Sequence, residues 1–201
     1  MRMRPVGVNF QNANILKAFA ALPVTMLNLG ALFNVVVTGV IVAWYVGMTL
    51  VMSLVLALPP YSYTSAAIGY ASVGPFLGGL FGFGFMAAVA EPLATWCTRK
   101  NHGFYEPEFR LILMAVGMLV TCGGLVGFGF AIQDQLSVYT LATIWGIVLF
   151  GITVIVIVCG QYALDAWRNH STEIFVMNAT FKNFFFYGCV PSLRSLDSYL
   201  I

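Results

Sequence analysis

A run of 73 residues, Ala18 to Ala90, contains no charged side chain, and this feature constrains the fold more than any other. A second charge-free run, Leu111 to Gln133, follows after one short charged segment. Only 8% of the chain is charged, against roughly a quarter in ordinary soluble domains. Because a soluble protein needs a charged surface and a membrane-spanning backbone must bond internally, the sequence predicts an all-α membrane protein.

Five apolar stretches are candidates for transmembrane helices, each of which needs about 20 mostly apolar residues. The first stretch ends at Pro59-Pro60, since proline lacks a backbone N–H and restricts the residue before it. The fifth is short and contains Lys182. The sequence therefore predicts about five spans, at 29–58, 65–90, 111–132, 139–162 and 174–190.

The two ends of the chain differ from this bundle. Residues 1–28 are more polar and predict a cytoplasmic or interfacial segment. Pro, Asn and Gln occupy the place where a signal peptide needs its apolar region, so we predict none. Residues 191–201 predict a polar tail that carries no further span.

The distribution of Lys and Arg predicts the orientation. With a cytoplasmic N-terminus, the two connections on the opposite side carry no base and only one acid, Asp134. The bases on the cytoplasmic side are then Arg2, Arg4, Lys17, Arg99, Lys100, Arg110 and Arg168.

Motifs of catalysis, metal binding and nucleic-acid binding do not occur in the sequence. There is no HExxH, no GxxxxGK and no Ser/His/Asp set, and the four cysteines are spread singly. The net charge of +2 comes without a basic stripe interleaved with aromatics. We therefore expect no enzyme, no metal or cofactor, and no nucleic-acid partner.

Gly74, Gly78 and Gly82 fall four residues apart, on one face of the second span. This small-xxx-small spacing lets two helices approach closely. It is more often plain close packing, and it also fits a helix that slides or rocks against its neighbour. Pro75, inside the same span, predicts a kink.

The segment 91–110 is a charged hinge between the second and third spans, and we predict a loop there. Glu91 is followed eight residues later by Arg99 and Lys100. A carboxylate beside guanidinium or ammonium groups could hold a cytoplasmic gate in one of two states. The alternative is a solvated loop that only obeys the positive-inside rule.

The end of the hinge predicts the start of the third span. Glu106 and Glu108 precede it, where unpaired N-terminal backbone donors favour acids. Pro107 suits a helix start, and Arg110 can extend back to the interface.

Charge returns after the fourth span. Asp165, Arg168 and Glu173 predict a cytoplasmic charge cluster. Within the spans, Lys182 is the one ionisable residue of the kind that marks a proton or ion path. Its alternative role is a long side chain that extends to the cytoplasmic interface.

Three strings resemble fungal transporters of the major facilitator superfamily, in the multidrug and polyamine drug:proton antiporter branch. RKNHGFYEPEFRL, at 99–111, resembles the loop between the eighth and ninth helices of that branch. PPYSYTSAAIGYASVGPFLGGLFG, at 59–82, is similar to its seventh-to-eighth helix segment. YALDAWRNHSTEIFVMNATFKNF, at 162–184, resembles the string that enters the eleventh helix.

The resemblance implies that the five spans are helices seven to eleven of a twelve-helix fold. Glu91 stands at the acid of the superfamily's gating-loop motif, and Arg99 and Lys100 stand at its basic pair. Ala87 departs from the glycine expected there. The first half and the twelfth helix lack counterparts, so we expect a truncated product, inactive alone.

The resemblance also implies the function: proton-coupled export or uptake of drugs, polyamines or similar small molecules at the plasma membrane. The expected partners are the lipid bilayer, the substrate, protons and the missing N-terminal half. Polar and aromatic residues within the spans are candidate substrate contacts, although such residues are more often packing or interfacial anchors. They are Trp44, Tyr45, Tyr70, Trp145 and Gln161. The competing hypothesis is a non-transporting membrane protein that acts by helix–helix assembly with partners.

Overall fold

Long helices occupy the predicted apolar stretches in the computed structural model of the protein. No strand occurs among the residues that it describes, so the predicted all-α class is confirmed. The helices are α1 (Leu29–Ala57), α2 (Ser65–Ala71), α3 (Val73–Lys100), α4 (Leu111–Gln133), α5 (Val138–Ala166) and α6 (Ser171–Leu200), with a 3-10 turn at Pro107–Arg110.

The structure describes residues 27–59, 61–167 and 171–200, with side chains through residue 188. Most of the predicted N-terminal segment, Arg168 and the side chains of the predicted tail lie outside these ranges. In the described backbone, α6 extends beyond the predicted stretch 174–190 at both ends.

Four helical segments in the described ranges are long and apolar enough to cross a membrane. They are Leu29–Ala57, Ser65–Lys100, Pro107–Gln133 and Val138–Ala166. The chain is therefore a multi-pass integral membrane protein, and the lipid bilayer surrounds it. The helix α6 is not among the four, but it packs along α1.

The centre of the bundle is α5. Half of its most apolar stretch (50%) is buried within the protein, against 22%, 28% and 33% for the other three segments. Both α3 and α4 pack along α5, and α1 contacts it from a third side. A helix that is apolar all round suits this central position.

Glycines allow α3 to touch α5 at the backbone. Gly74 lies against Ala142, and Gly78 lies against Gly146. A Cβ atom at either glycine of α3 would overlap the carbonyl oxygen opposite it. A Cβ at Gly82 would come within 3.0 Å of the next carbonyl along α5. The glycine face of α3 is therefore a contact between two backbones.

The opposite side of α5 repeats this arrangement with α4. A Cβ at Gly117 would lie 3.0 Å from the Gly151 carbonyl oxygen, and a Cβ at Gly151 would lie 2.8 Å from that of Gly117. Close packing through glycine thus fixes both neighbours of the central helix.

One predicted helix boundary is wrong. The hinge was expected to be a loop from Glu91, but α3 continues through Pro92 to Lys100. Membrane helices tolerate an internal proline because neighbouring groups satisfy the freed carbonyl. The kink predicted from Pro75 takes the form of a break at Ser72, just before the proline, which leaves Pro75 in the first turn of α3, where no N–H bond is lost.

A buried amide connects α1 to α5. The Asn34 side chain is 2% exposed, and its Nδ2 donates to the Cys159 carbonyl oxygen at 2.6 Å. The two residues are 125 positions apart, so the bond joins elements that the sequence separates widely.

We expect Asn34→Leu to lower the free energy of unfolding by about 1 kcal/mol, since interhelical side-chain bonds in membranes contribute about 0.6 and at most about 1.7 kcal/mol. Unfolding in detergent, followed by circular dichroism, measures the change. The control is Ser53→Ala, which removes a hydroxyl bonded within its own helix. Equal effects of the two substitutions would contradict a role for Asn34 between helices.

Candidate functional site

Arg110 ends the 3-10 turn that leads into α4. Glu106 is extended and Pro107 begins the turn, which suits proline because its missing N–H would be unpaired there. The turn packs against α3, α4 and α5. The Arg110 side chain therefore starts from a point where three helices meet.

The Arg110 guanidinium binds four side chains, which together with it form the Arg110 cluster. Nε donates to Asp165 Oδ2 at 2.9 Å and to the Tyr105 hydroxyl at 3.0 Å. Nη1 donates to Gln161 Oε1 at 2.9 Å, and Nη2 donates to Glu91 Oε1 at 3.1 Å. One cation thus connects acids on α3 and α5.

The two ion pairs of the cluster differ in burial. The Arg110 side chain is 11% exposed and that of Asp165 is 25% exposed, whereas that of Glu91 is 72% exposed. Exposed ion pairs contribute little, while removal of one partner from a buried pair is strongly destabilising. The pair with Asp165 is therefore the better protected from water, and the pair with Glu91 is the weaker of the two.

Tyr105 completes the cluster from the connecting loop. Its hydroxyl accepts from Arg110 and donates to Asp165 at 2.6 Å. Partial burial, and then the bond to Asp165, raise the pKa of Tyr105 above its ordinary value. The hydroxyl therefore remains a neutral donor at physiological pH, and its contribution is lost only as the pH rises through that raised pKa.

The latch predicted between Glu91 and the basic pair does not form. Glu91, Arg99 and Lys100 lie on one continuous helix, where eight residues span about 12 Å. Arg99 is exposed, and the Lys100 Nζ lies 5.1 Å from the centre of the Trp96 ring. Among the described residues, the cation that pairs with Glu91 is Arg110.

The remaining predicted charges lie near the cluster or outside the description. Glu106 accepts from Asn101 Nδ2 at 3.3 Å, and Glu108 lies in the 3-10 turn. Of the charge cluster predicted after α5, Asp165 belongs to the Arg110 cluster and Glu173 lies in the first turn of α6.

The structure does not bring the candidate substrate residues together. Trp44 and Tyr45 line a cavity of about 700 Å³ between α1, α4, α5 and α6, which we name the apolar cavity. Tyr70 lines a second cavity, of about 660 Å³, near the α4–α5 connection. Trp145 is 4% exposed in the core, and its indole N–H has no acceptor among the described residues. Gln161 belongs to the Arg110 cluster.

Two fungal membrane transporters are similar to this chain. Over 94 residues, or 46% of this chain, it is 31% identical to the multidrug transporter DTR1 of Candida glabrata. Over 130 residues, or 61% of this chain, it is 25% identical to the MFS-type transporter penM of Penicillium rubens. This chain is therefore similar to parts of fungal transporters, one of them of the major facilitator type.

The predicted resemblance to this superfamily is thereby confirmed. The matches cover only 17% of the length of the first relative and 24% of the second, so this chain spans a minor part of each relative. No protein-family model matches the chain, and no solved structure matches it.

Proposed function

We propose that this chain forms part of the C-terminal bundle of a major facilitator transporter, with its helices as the seventh to eleventh of twelve. With the rest of such a protein, it would move drugs, polyamines or similar small organic molecules by proton-coupled alternating access. Both relatives are transporters by name, one of them a multidrug transporter, and this supports the class. The Arg110 cluster supports the mechanism, since it joins three helices at one end of the bundle.

In this proposal, the Arg110 cluster is a gate latch. Arg110 stays on α5 through Asp165 while the exposed bond to Glu91 opens and closes. Breaking one exposed ion pair costs about 0–1 kcal/mol, which thermal motion and substrate binding can supply. The cluster then has two states of similar energy, as a gate requires.

The proposed orientation places the cluster on the cytoplasmic side of the plasma membrane, with the N-terminus on the same side. Arg99, Lys100 and Arg110 lie at this end of the bundle, whereas the connections at the opposite end carry only Asp134. This asymmetry follows the positive-inside rule.

Transport would require the partner half of the protein, because the substrate site of these transporters lies between two six-helix halves. Large apolar side chains on α3 remain uncovered in this bundle: Phe76 is 69% exposed and Phe83 is 64% exposed. An exposed apolar surface on a membrane helix can face lipid or a second helix bundle. We therefore propose that the chain is inactive by itself.

A chimera tests the transport proposal. Residues 29–188 of this chain replace the corresponding segment of the Candida glabrata relative, in a yeast strain that lacks its own multidrug exporters. We expect drug resistance and efflux, with the relative itself as the reference. A chimera that reaches the membrane at the relative's abundance but exports nothing would contradict the proposal.

Glu91→Gln in this chimera is expected to change the transport rate several-fold with little change in abundance. The carboxylate is mostly exposed and Arg110 keeps its other partners, so folding does not depend on Glu91. Arg99→Gln, on the same helix, is the matched control. Equal loss of rate and abundance in Glu91→Gln would leave only a structural role.

The assembly hypothesis predicts a different result in the same strain. Under that hypothesis, the chain would co-purify with another membrane protein in mild detergent while the chimera exports no drug. A monomeric chain together with an active chimera would contradict it.

A further inference from the structure

A second cavity lies at the end of the bundle opposite the Arg110 cluster, beyond the 23 residues, or about 34 Å, of α4. Its volume of about 660 Å³ lies in the usual range of roughly 300–1,000 Å³ for ligand sites. Its walls include α2, the α1–α2 and α4–α5 connections, and the first turns of α3 and α5. We name it the tyrosine cavity, because the aromatic residues of its lining are all tyrosines: Tyr61, Tyr63, Tyr70 and Tyr139.

The two connections that wall the tyrosine cavity are bonded to each other. The Tyr61 hydroxyl donates to the Leu136 carbonyl oxygen at 2.6 Å, although the two residues are 75 positions apart. The Tyr61 ring in turn stacks on the Tyr63 ring, with the ring centres 6.3 Å apart. Two of the four rings are therefore held in place by the protein itself, which reduces the entropy that a ligand loses by ordering its site.

Backbone strain occurs in the same two connections. The φ angle is +47° at Ser62, between the two stacked tyrosines, and +49° at Gln135, which lines the cavity. These are two of the three non-glycine residues with a positive φ in the described ranges. Such conformations are uncommon outside glycine, and they concentrate at binding and active sites. Tyrosines that only anchor a helix at the membrane interface require neither this strain nor a bond between two connections.

The charges around the tyrosine cavity favour a cation. The faces of aromatic rings are electronegative and attract ammonium groups. Asp134 directly precedes Gln135 of the lining. Because adjacent Cα atoms are about 3.8 Å apart, its carboxylate lies within about 8 Å of the Gln135 Cα atom, roughly one Debye length at physiological salt. From residue 111 to residue 164, Asp134 is the only charged residue of the sequence.

We propose that the tyrosine cavity binds an organic cation, with a quaternary ammonium over the tyrosine rings and an attached apolar group between α3 and α5. Tyr70 and Tyr139 are 77% and 86% exposed, so the rings at the edge of the cavity are accessible to a ligand. Leu77 and Val138 supply apolar wall on the two helices. The inference goes beyond the proposed transport function, because described residues of this chain form the whole of this lining and binding there needs no movement of the bundle.

Three naphthyl compounds of matched size test the charge preference: 1-naphthylmethyl-trimethylammonium, 1-naphthylacetamide and 1-naphthylacetate. The full chain is placed in phosphatidylcholine nanodiscs, and binding is measured by equilibrium dialysis with empty discs subtracted. We expect the cation to bind about tenfold more tightly than the amide, and the anion to bind more weakly than either. Equal or tighter binding of the amide or the anion would overturn the proposal.

Substitutions of the two exposed tyrosines test the role of the rings. Loss of one ring at an exposed site weakens cation binding about two- to fivefold, so Tyr70→Leu combined with Tyr139→Leu should weaken it about tenfold and change binding of the amide less than twofold. Tyr70→Phe combined with Tyr139→Phe should keep the affinity, because the rings remain. Loss of affinity in the phenylalanine pair equal to that in the leucine pair would overturn the proposal, since the hydroxyls rather than the rings would then hold the ligand.

Tyr187→Leu is the matched control for these substitutions. Tyr187 is 76% exposed, as Tyr70 is, but it lies on α6 and is not part of the cavity lining. This substitution should leave binding of the cation unchanged. Equal weakening by Tyr187→Leu and by the leucine pair would overturn the proposal, because it would show binding to exposed tyrosines in general.

A cysteine at Thr143 provides a readout of position. Thr143 is exposed on the wall of the tyrosine cavity, and its hydroxyl bonds only within its own helix among the described residues. The bound cation should slow modification of Thr143→Cys by a neutral maleimide several-fold, and should leave the exposed Cys122 of the apolar cavity unaffected. Unchanged labelling of Thr143→Cys at saturating cation would overturn the placement. Because these assays need no transport, selective binding together with an inactive chimera would refute the transport proposal alone.

Discussion

Replacing Arg110 with glutamine is expected to destabilise the bundle more than the loss of any other single charge that the structure describes. The guanidinium binds four side chains from three parts of the chain, and glutamine cannot reach them all. The substitution leaves the Asp165 carboxylate, 25% exposed, without its cation. We expect a loss of about 2 kcal/mol of unfolding free energy, below the 3–5 kcal/mol of fully buried pairs because water still reaches this carboxylate.

Thermal unfolding in detergent measures this loss, with Arg99→Gln as a control of equal charge change. Arg110→Lys should restore only part of the stability, because a point charge cannot bridge several acceptors as a planar guanidinium does. A double-mutant cycle separates the partners. Coupling of Arg110 to Asp165 should exceed its coupling to Glu91, whose side chain is 72% exposed. Equal couplings would contradict the distinction between a protected and a weaker ion pair.

The apolar stretches could be predicted because the length of a membrane helix is set by the bilayer, whatever its neighbours. The positions where the helices end could not be predicted in the same way. Charge suggested that the loop begins at Glu91, yet α3 remains helical to Lys100. A helix can extend beyond the bilayer when another element packs on it, and the 3-10 turn at 107–110 does so here. Such tertiary contacts leave no periodic signal in the sequence.

The Arg110 cluster likewise has one part that the sequence predicts and another that only the fold shows. Charge runs indicate Glu91 and Arg110 as the two ends of one charged segment and Asp165 as a member of another. Nothing in their spacing indicates that Arg110 joins the other two, which lie 19 and 55 residues away. Tyr105 is harder to predict, because tyrosines at membrane interfaces are common and only the fold shows that this hydroxyl meets Asp165. Composition locates charged groups, whereas helix packing determines the partners.

Gly78→Ala is the second substitution with a large expected effect. The new methyl group would overlap the backbone of Gly146, and neither helix can move locally without disturbing a long contact. Overpacking of this kind costs about 1–3 kcal/mol, more than the roughly 1 kcal/mol that alanine gains over glycine in a helix. We expect a net loss of stability of up to about 2 kcal/mol in thermal unfolding, near the upper end because the overlap is with backbone.

Gly84→Ala, on the same helix, is the matched control, because a Cβ there meets no atom within 4 Å. This substitution should be neutral or stabilising, so the difference between the two variants isolates the contact with Gly146.

The two variants also distinguish the two interpretations of the glycine face of α3. Close packing predicts that Gly78→Ala lowers stability and transport of the chimera together. A sliding contact predicts that transport falls while stability is kept, since a methyl group that the resting packing accommodates would still obstruct movement of α3 along α5.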